Sequence, residues 1–473
     1  MSVIRFGTDG WRGRIAADFT FENVRIVVQA VSDFLKESHP VEKNLVVGYD
    51  RRFLSEEFSK ITCEVLAGNG FRVSLFSKPV PTPLVSFAVV HTKSIGGIVL
   101  TASHNPPEFH GFKFKESYGA SASPETTRRI ESFLGRSEVR SAPFEEAYSA
   151  GKIRPLNCDK EYLAALRRRV SFSLFRKARL KVLFDSLYGS ASDYVPKLFS
   201  FGSLRLETLH TQRDILFGGL SPEPIPRNLV DLVRKMKTGS FDVGFALDGD
   251  GDRLAVVAPG GKFIPPSKVL SLLLLHFTDG KGLRGKVVKT VSSSLLIDRI
   301  AAAAGLEVIE TPVGFKHISE RMTRDPQFLL GGEESGGMGF RGGLPERDGL
   351  LSALYFLEMM ASRKKSIVDL LRWVDRKFGP SETDRLDLHY PTEKWGPLCG
   401  RLRGEANGFF GDGSSVRLKE FDGLKLVGKE SWILFRMSGT EPLLRIYAEA
   451  PSVKEVRRLL EKGRALAFRE GPS

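Results

Sequence analysis

Gly97-Ile98-Val99-Leu100-Thr101-Ala102-Ser103-His104-Asn105-Pro106-Pro107 is the stretch on which the reading of this chain turns. Residues 97–101 are mostly apolar and β-branched, with glycine before them and a polar turn after, which predicts a buried strand running into a loop. Pro106 and Pro107 forbid helix beyond it and push Asn105 into an extended conformation. Ser103 is therefore expected at the carboxyl end of a strand, on a stiff loop, with the His104 imidazole beside it. In open α/β sheets that is where ligands and chemistry collect. Adjacency of Ser and His alone does not make a nucleophile and its base, because such partners are usually brought together by the fold.

On the amino-terminal side of that strand the pattern is helix Phe21–Lys36, strand Leu45–Tyr49, helix Ser55–Ala67 and strand Phe71–Phe76, then the turn Pro79–Pro83. Alternating strand and helix with short connections predicts a parallel sheet wrapped by helices. Ahead of it Phe6–Gly13 is glycine-rich with no apolar period; its Arg12 carries a planar fork that suits phosphate. On the other side the chain turns polar after Lys115, which sets a first unit at residues 1–150. Residues 151–258 repeat the pattern with strands Lys181–Phe184, Leu204–Leu209 and Asp242–Leu247 around helices Ala191–Phe199 and Asn228–Met236. A third unit, 259–375, carries strands Val287–Thr290, Glu307–Glu310 and Phe328–Leu330, helices Lys268–His276 and Ser294–Ala304, and a long helix from Asp348. The same order three times suggests structural repeats. In 376–473 short strands alternate and one helix, Val453–Phe468, closes the chain, as in an α+β unit with an antiparallel sheet. The expected class is thus α/β: three consecutive α/β/α domains plus a C-terminal α+β domain.

The 473 residues suffice for three or four domains at roughly 100–200 residues each. The longest apolar run, Val269–Phe277, is about half of what a membrane span takes, and the first residues show no apolar core with a cleavage site. Cys63, Cys158 and Cys399 are few, odd in number and far apart, which disfavours a disulfide framework or a cysteine-bound zinc and fits a reducing, cytoplasmic setting. Lys and Arg exceed Asp and Glu by 14 charges, an excess that serves nucleic acid, an anionic membrane or polyanionic small substrates. The densest basic run, Arg167–Lys181, lacks the aromatic interleaving or finger spacing of a nucleic-acid binder and reads as a solvated helix face with its loop.

Three further stretches carry chemistry. Asp248-Gly249-Asp250-Gly251-Asp252-Arg253 follows a predicted strand directly. Alternate carboxylates separated only by glycine can turn inward on a tight loop, and Mg²⁺ takes such hard oxygen ligands while keeping positions for substrate phosphate. A calcium EF-hand loop begins similarly but needs a later bidentate Glu and flanking helices, whereas Leu254–Val257 leads out as strand. Gly332-Glu333-Glu334-Ser335-Gly336-Gly337 is too glycine-rich to pack as an element, and Glu333 and Ser335 would present acceptors and a hydroxyl suited to sugar diols. Arg436-Met437-Ser438-Gly439-Thr440-Glu441-Pro442 follows a strand; the backbone N–H groups of Ser438–Thr440, with two hydroxyls and the Arg436 guanidinium, would make an anion nest.

Thr101–Pro107, with Gly111-Phe112-Lys113 following, resembles the phosphoserine loop of the α-D-phosphohexomutases, the family of phosphoglucomutase and phosphomannomutase. Asp248, Asp250 and Asp252 match that family's metal triplet; 332–337 is similar to its sugar loop, 436–442 to its phosphate loop, and Thr311-Pro312-Val313-Gly314-Phe315-Lys316 to a segment of the phosphoglucomutases. The resemblance implies four domains around a central cleft. It implies that Ser103 carries the phosphate and completes a Mg²⁺ shell with the three aspartates, that Arg12 lies beside it, and that Arg253 touches the same phosphate. Lys113 is implied as the general base, its pKa lowered by nearby cations, with His104 as the alternative base or an orienting group. Lys316, Glu333, Ser335, Arg436, Ser438, Gly439 and Thr440 would hold a phosphosugar, converted through a hexose 1,6-bisphosphate that also serves as activator. The Pro312–Lys316 segment leans toward glucose, with mannose also accepted and glucosamine phosphate as the alternative.

Overall fold

The computed structural model describes residues 4–7, 9–39, 43–175, 177–411, 415–438 and 442–469. Its first sheet contains β1 (Trp11–Arg14), β2 (Asn44–Tyr49), β3 (Arg72–Phe76), β4 (Gly96–Leu100), β5 (Phe109–Glu116) and β6 (Ile153–Leu156), in the order β1-β5-β4-β2-β3-β6. The second holds β7 (Lys181–Asp185), β8 (Arg205–Leu209), β9 (Val243–Leu247), β10 (Leu254–Ala258) and β11 (Lys262–Ile264), ordered β11-β10-β9-β7-β8. The third has β12 (Lys286–Thr290), β13 (Val308–Thr311), β14 (Phe328–Gly332) and β15 (Met338–Phe340), ordered β13-β12-β14-β15. Stripped of edge additions, the orders β5-β4-β2-β3, β10-β9-β7-β8 and β15-β14-β12-β13 are one topology built three times. The fourth sheet is antiparallel throughout: β16 (Glu382–His389), β17 (Arg417–Lys419), β18 (Leu424–Val427), β19 (Trp432–Met437) and β20 (Leu443–Ala450), ordered β16-β20-β19-β18-β17, with the helix Val453–Phe468 against it.

The first three sheets are mixed rather than parallel as the alternation predicts. β2, β3 and β4 are parallel, but β5 returns antiparallel to β4, and β10 and β15 do the same to β9 and β14. The reason is length: a parallel return needs a crossover of a dozen or more residues, whereas an antiparallel return needs only a short loop. In each unit that short loop is one of the motifs, residues 101–108, 248–253 and 333–337. The sheets also run past the expected boundaries, since β6 pairs with β3 and β11 with β10.

Several elements have no counterpart in the sequence reading, three of them beside the Ser103 loop. β1 lies within the glycine-rich opening, β5 follows the double proline, and Thr82–His91 is a helix rather than the end of a proline turn. Pro83 sits in that helix's first turn, where its missing N–H costs nothing. One apolar core runs continuously from Val46 to Val374 through all three α/β/α units, while the fourth has its own core around Leu426, Phe435 and Leu459. The run Val269–Phe277 is buried in the shared core, and no helix among the described residues is long and apolar enough to cross a membrane. Part of the basic run is structural: Arg169 donates to Gly342 O at 2.8 Å and to Tyr355 Oη at 3.2 Å.

Candidate active site

The three repeated loops meet. Ser103 is buried, with its backbone in the left-handed region at φ 52° and its N–H donated to Thr101 Oγ1 at 2.8 Å. Its hydroxyl donates to Asp248 Oδ2 at 2.9 Å and lies 3.3 Å from His104 Nδ1. The two loops approach so closely that a Cβ at position 249 would stand 2.6 Å from Ser103 O, which is why glycine occupies it. The third loop joins the second through Leu254 N–H donating to Gly336 O at 3.1 Å and a bridge between Arg253 and Gly337.

Carboxylate oxygens of Asp248, Asp250 and Asp252 lie within 4.8 Å of one another, and all three side chains are fully buried. Asp248 Oδ1 accepts the N–H groups of Asp252 (3.0 Å) and Arg253 (3.1 Å). Asp250 Oδ2 accepts from Thr82 Oγ1 at 2.6 Å and Lys113 Nζ at 2.9 Å. Asp250 Oδ1 and Asp252 Oδ1 are buried without a hydrogen-bond donor. Burial and the other two carboxylates push Asp248 well above the usual carboxylate range, and burial raises Asp252 despite Arg347. Burial acts the same way on Asp250, but Lys113, Thr82 and Arg347 together outweigh it and hold Asp250 low. Hard oxygens, two of them unsatisfied, crowded into a dry site fit a divalent cation of the Mg²⁺ type.

Lys113, on β5, lies 2.8 Å from Asp9 Oδ2, 2.9 Å from Asp250 and 3.6 Å from Asp252. Its surroundings differ from the expected cationic ones: burial favours the free amine, yet the carboxylates of Asp250, Asp9 and Asp252 prevail and raise its pKa, keeping an ammonium. His104 is the opposite case, since burial and the cations of Arg253 and Arg12 hold its imidazole neutral. Arg12, on β1, donates to Asn105 Oδ1 at 2.5 Å. Arg253 Nε lies 3.9 Å from Asp248 and 3.8 Å from Asp252, buried without a hydrogen-bond partner.

Glu333 is buried 3.5 Å from Arg347, and burial with the charge of Glu334 raises its pKa to about 7 against the pull of Arg347. Ser335 Oγ is buried without a hydrogen-bond partner among the described residues. Lys316 is half-buried in the first turn of the helix Phe315–Arg324, where burial lowers its pKa and Asp9 offsets part of the effect. Arg436, on β19, has its Nε 3.0 Å from both oxygens of Asp422, whose Oδ2 also accepts Val313 N–H at 2.7 Å. That carboxylate ties the Pro312–Lys316 segment to the fourth unit. Ser438 donates its N–H to Leu443 O at 2.8 Å, and Gly439 and Thr440 lie outside the described residues.

Arg347 is the member that motif reading misses. Its Nη2 lies 2.6 Å from both Asp9 and Asp252, and it approaches Glu346 at 3.7 Å, so one guanidinium meets carboxylates from all three α/β/α units. Beside it Lys115 pairs with Glu346, both buried. The only signal in the sequence is the charged run Glu346-Arg347-Asp348, placed just before a helix whose N-cap is Asp348.

Four family models match consecutive stretches of the chain: phosphoglucomutase/phosphomannomutase alpha/beta/alpha domain I at residues 3–140, domain II at 160–261, domain III at 265–376, and the C-terminal domain at 406–465. The chain belongs to the phosphoglucomutase/phosphomannomutase family. It is therefore an isomerase of the phosphotransferase type. A probable phosphoglucosamine mutase of Methanothermobacter thermautotrophicus is 31% identical over 460 residues, covering 97% of this chain and 96% of its own. A phosphoglucomutase/phosphomannomutase of Thermococcus kodakarensis is 29% identical, with 97% of each covered. The solved structure of a putative phosphomannomutase from Thermus thermophilus matches with TM-score 0.86 and 36% identity, covering 98% of this chain and 99% of that one.

Proposed function

We propose that this protein interconverts hexose 1-phosphates and hexose 6-phosphates through a phosphorylated Ser103, with glucose 1-phosphate favoured and mannose 1-phosphate also accepted. The observation that carries the reading is the Ser103 hydroxyl, buried and aimed at Asp248 of the carboxylate triplet. Asp248, Asp250 and Asp252, with a phosphate oxygen on Ser103, would hold Mg²⁺, which offsets negative charge on the transferring group. Phospho-Ser103 gives its phosphoryl group to the free 6-hydroxyl of a hexose 1-phosphate, and the 1-phosphate of the resulting bisphosphate returns to Ser103. Free hexose 1,6-bisphosphate would activate by phosphorylating an empty Ser103. Catalysis in such a transfer is mostly positioning and electrostatics.

The residues divide that work. Arg253 and the Lys113 ammonium face the transferring oxygens as fixed cations. We assign the proton-accepting role to His104, neutral and 3.3 Å from Ser103 Oγ, in preference to Lys113, which its neighbouring carboxylates favour as an ammonium. Arg12 orients the loop through Asn105. Glu333 and Ser335 receive sugar hydroxyls. Lys316, Arg436 and the Ser438–Thr440 turn take the phosphate that is not reacting. Five buried or largely buried cations, Arg52, Lys113, Lys115, Arg253 and Arg347, gather at or beneath this site, which supports an anionic small substrate rather than nucleic acid. The three unpaired cysteines, all buried, suit the cytoplasm.

Intact-mass analysis tests the mechanism: a phosphorylated fraction is expected, lost on incubation with a hexose monophosphate, and mapping to Ser103. A second reading, a phosphoglucosamine mutase, draws support from the name of the Methanothermobacter relative. Coupled assays on glucose, mannose and glucosamine phosphates separate the two.

A further inference from the structure

The loop that carries Ser103 has a problem its own sequence cannot solve. Pro106 and Pro107 have no N–H, so a half-buried loop around them has more carbonyls than donors. The deficit is met by one side chain from another strand end. Arg52, just past β2, is fully buried; its Nη2 donates to Ser103 O at 2.7 Å and Asn105 O at 2.6 Å, and its Nη1 to Pro106 O at 2.8 Å and Phe109 O at 3.1 Å. Asp50 holds the guanidinium from behind, 3.2 Å from Nε, and its Oδ1 is fixed by Arg52 N–H (3.0 Å) and Ser55 Oγ (2.8 Å). Phe217, from the second unit, lies under the guanidinium at 5.0 Å.

We infer that Arg52 is a positioning residue for phosphoryl transfer, holding the Ser103 loop in its productive shape from beneath by gripping three of its carbonyls and the first of β5. The grip acts where strain is greatest. Ser103 is a non-glycine residue at φ 52°, a conformation that persists only when its surroundings over-determine it. Fixing the Ser103 carbonyl fixes the following peptide plane, so the His104 N–H points away from Arg52. A planar fork can satisfy four carbonyls in one layer; a lysine ammonium has three donors on a flexible stem and cannot. Arg52 touches neither a triplet carboxylate nor the Ser103 hydroxyl, so it acts through the loop alone.

The inference rests on the phosphoserine reading, and the experiment keeps the two apart. Wild-type enzyme stripped of phosphate is mixed with hexose 1,6-bisphosphate, and transfer to Ser103 is followed by quenched-flow intact mass. No transfer in wild type overturns the functional reading. For R52K, which keeps a charge opposite Asp50, transfer is expected to slow about 100-fold, the scale of a 1 Å misplacement. Calorimetric affinity for hexose 1-phosphate should change less than about 3-fold, and exchange of the Asn105 amide, whose N–H donates to Ala102 O at 3.1 Å, should quicken about 100-fold. The exchange reading decides whether Arg52 fixes the loop even if wild type transfers nothing. Should R52K not fold, the pair D50N with R52Q removes both charges together and is expected to give the same slow transfer. Folded R52K with wild-type transfer and exchange overturns the inference. So does weakened sugar-phosphate binding with transfer unchanged, or failure of both variants to fold, which would make Arg52 a core residue only.

Discussion

Replacing Arg347 with Met, which keeps much of the apolar stem and removes the charge, tests whether the site is held together by its own electrostatics. The guanidinium stands 2.6 Å from Asp9 and Asp252, 3.5 Å from Glu333 and 3.7 Å from Glu346, and of these only Asp9 has appreciable access to water. Removing one partner from a buried ion pair costs about 3–5 kcal/mol, because the charge left behind has lost its water and its partner. Lys113 and Lys115 retain part of the balance, so about 3 kcal/mol is expected near neutral pH. The loss must also depend on pH through Glu333. Its pKa of about 7 lies above the unfolded carboxyl, so its favourable contribution is full below about 4.5 and is lost as pH rises through 7. Arg347 pulls that pKa down; without it the value climbs further, and the folded variant keeps a proton that the unfolded chain releases. R347M should therefore lose about 1 kcal/mol more, relative to wild type, at pH 8 than at pH 6. Urea midpoints for both proteins at the two pH values, without metal, measure this. Equal midpoints at pH 8, or a larger deficit at pH 6, would refute the assignment of Arg347 as the counter-ion of these carboxylates.

Four other outcomes follow from the same geometry. S103A should abolish turnover and phosphate incorporation with an unchanged circular dichroism spectrum, and activity above a trace rules out the phosphoserine route. D250N should weaken Mg²⁺ dependence at least about 10-fold and should also lower the melting temperature without metal, because Asp250 anchors Thr82 and Lys113 across two units and each such charged bond contributes about 1.5–3 kcal/mol. E333Q should flatten the rise in hexose 1-phosphate affinity that wild type shows as pH passes about 7, measured by calorimetry against the ligand's own titration. Among sugars, glucose and mannose 1-phosphates differ only at the 2-hydroxyl, and a hydroxyl merely misplaced discriminates weakly, so both should turn over in a coupled assay; preference for glucosamine phosphate would overturn the glucose assignment.

The motifs were legible because each is local. Ser103 before two prolines, aspartates alternating with glycine, and a Glu-x-Ser loop announce themselves within six or seven residues, and the flanking apolar strands place them at sheet ends. What was not legible is what those side chains touch. The Arg347–Asp9 pair spans 338 positions and the Thr82–Asp250 bond 168, and no spacing rule reaches so far. The same gap bears on Lys113: nearby cations were expected to lower its pKa, yet folding brings it three carboxylates. The hidden strand β5 has a related cause, since Phe109–Glu116 is half charged or polar yet buried, its lysines being neutralised from other units. The three-fold topology joins the two levels. Each α/β/α unit closes its parallel strands with a short antiparallel return, and each return is the loop that brings one part of the candidate site: Ser103, the carboxylate triplet, and Glu333 with Ser335. Such a loop is short, so it cannot bury its own polar groups. Buried cations from other elements do it instead, Arg52 of the same unit beneath the first loop and Arg347 of the third unit between the second and third. Arg347 pairs carboxylates of three units at once, so if these loops react as proposed, its substitution is expected to move interdomain stability and transfer rate together, whereas Arg52, whose polar partners all lie in its own unit, is expected to move transfer rate alone.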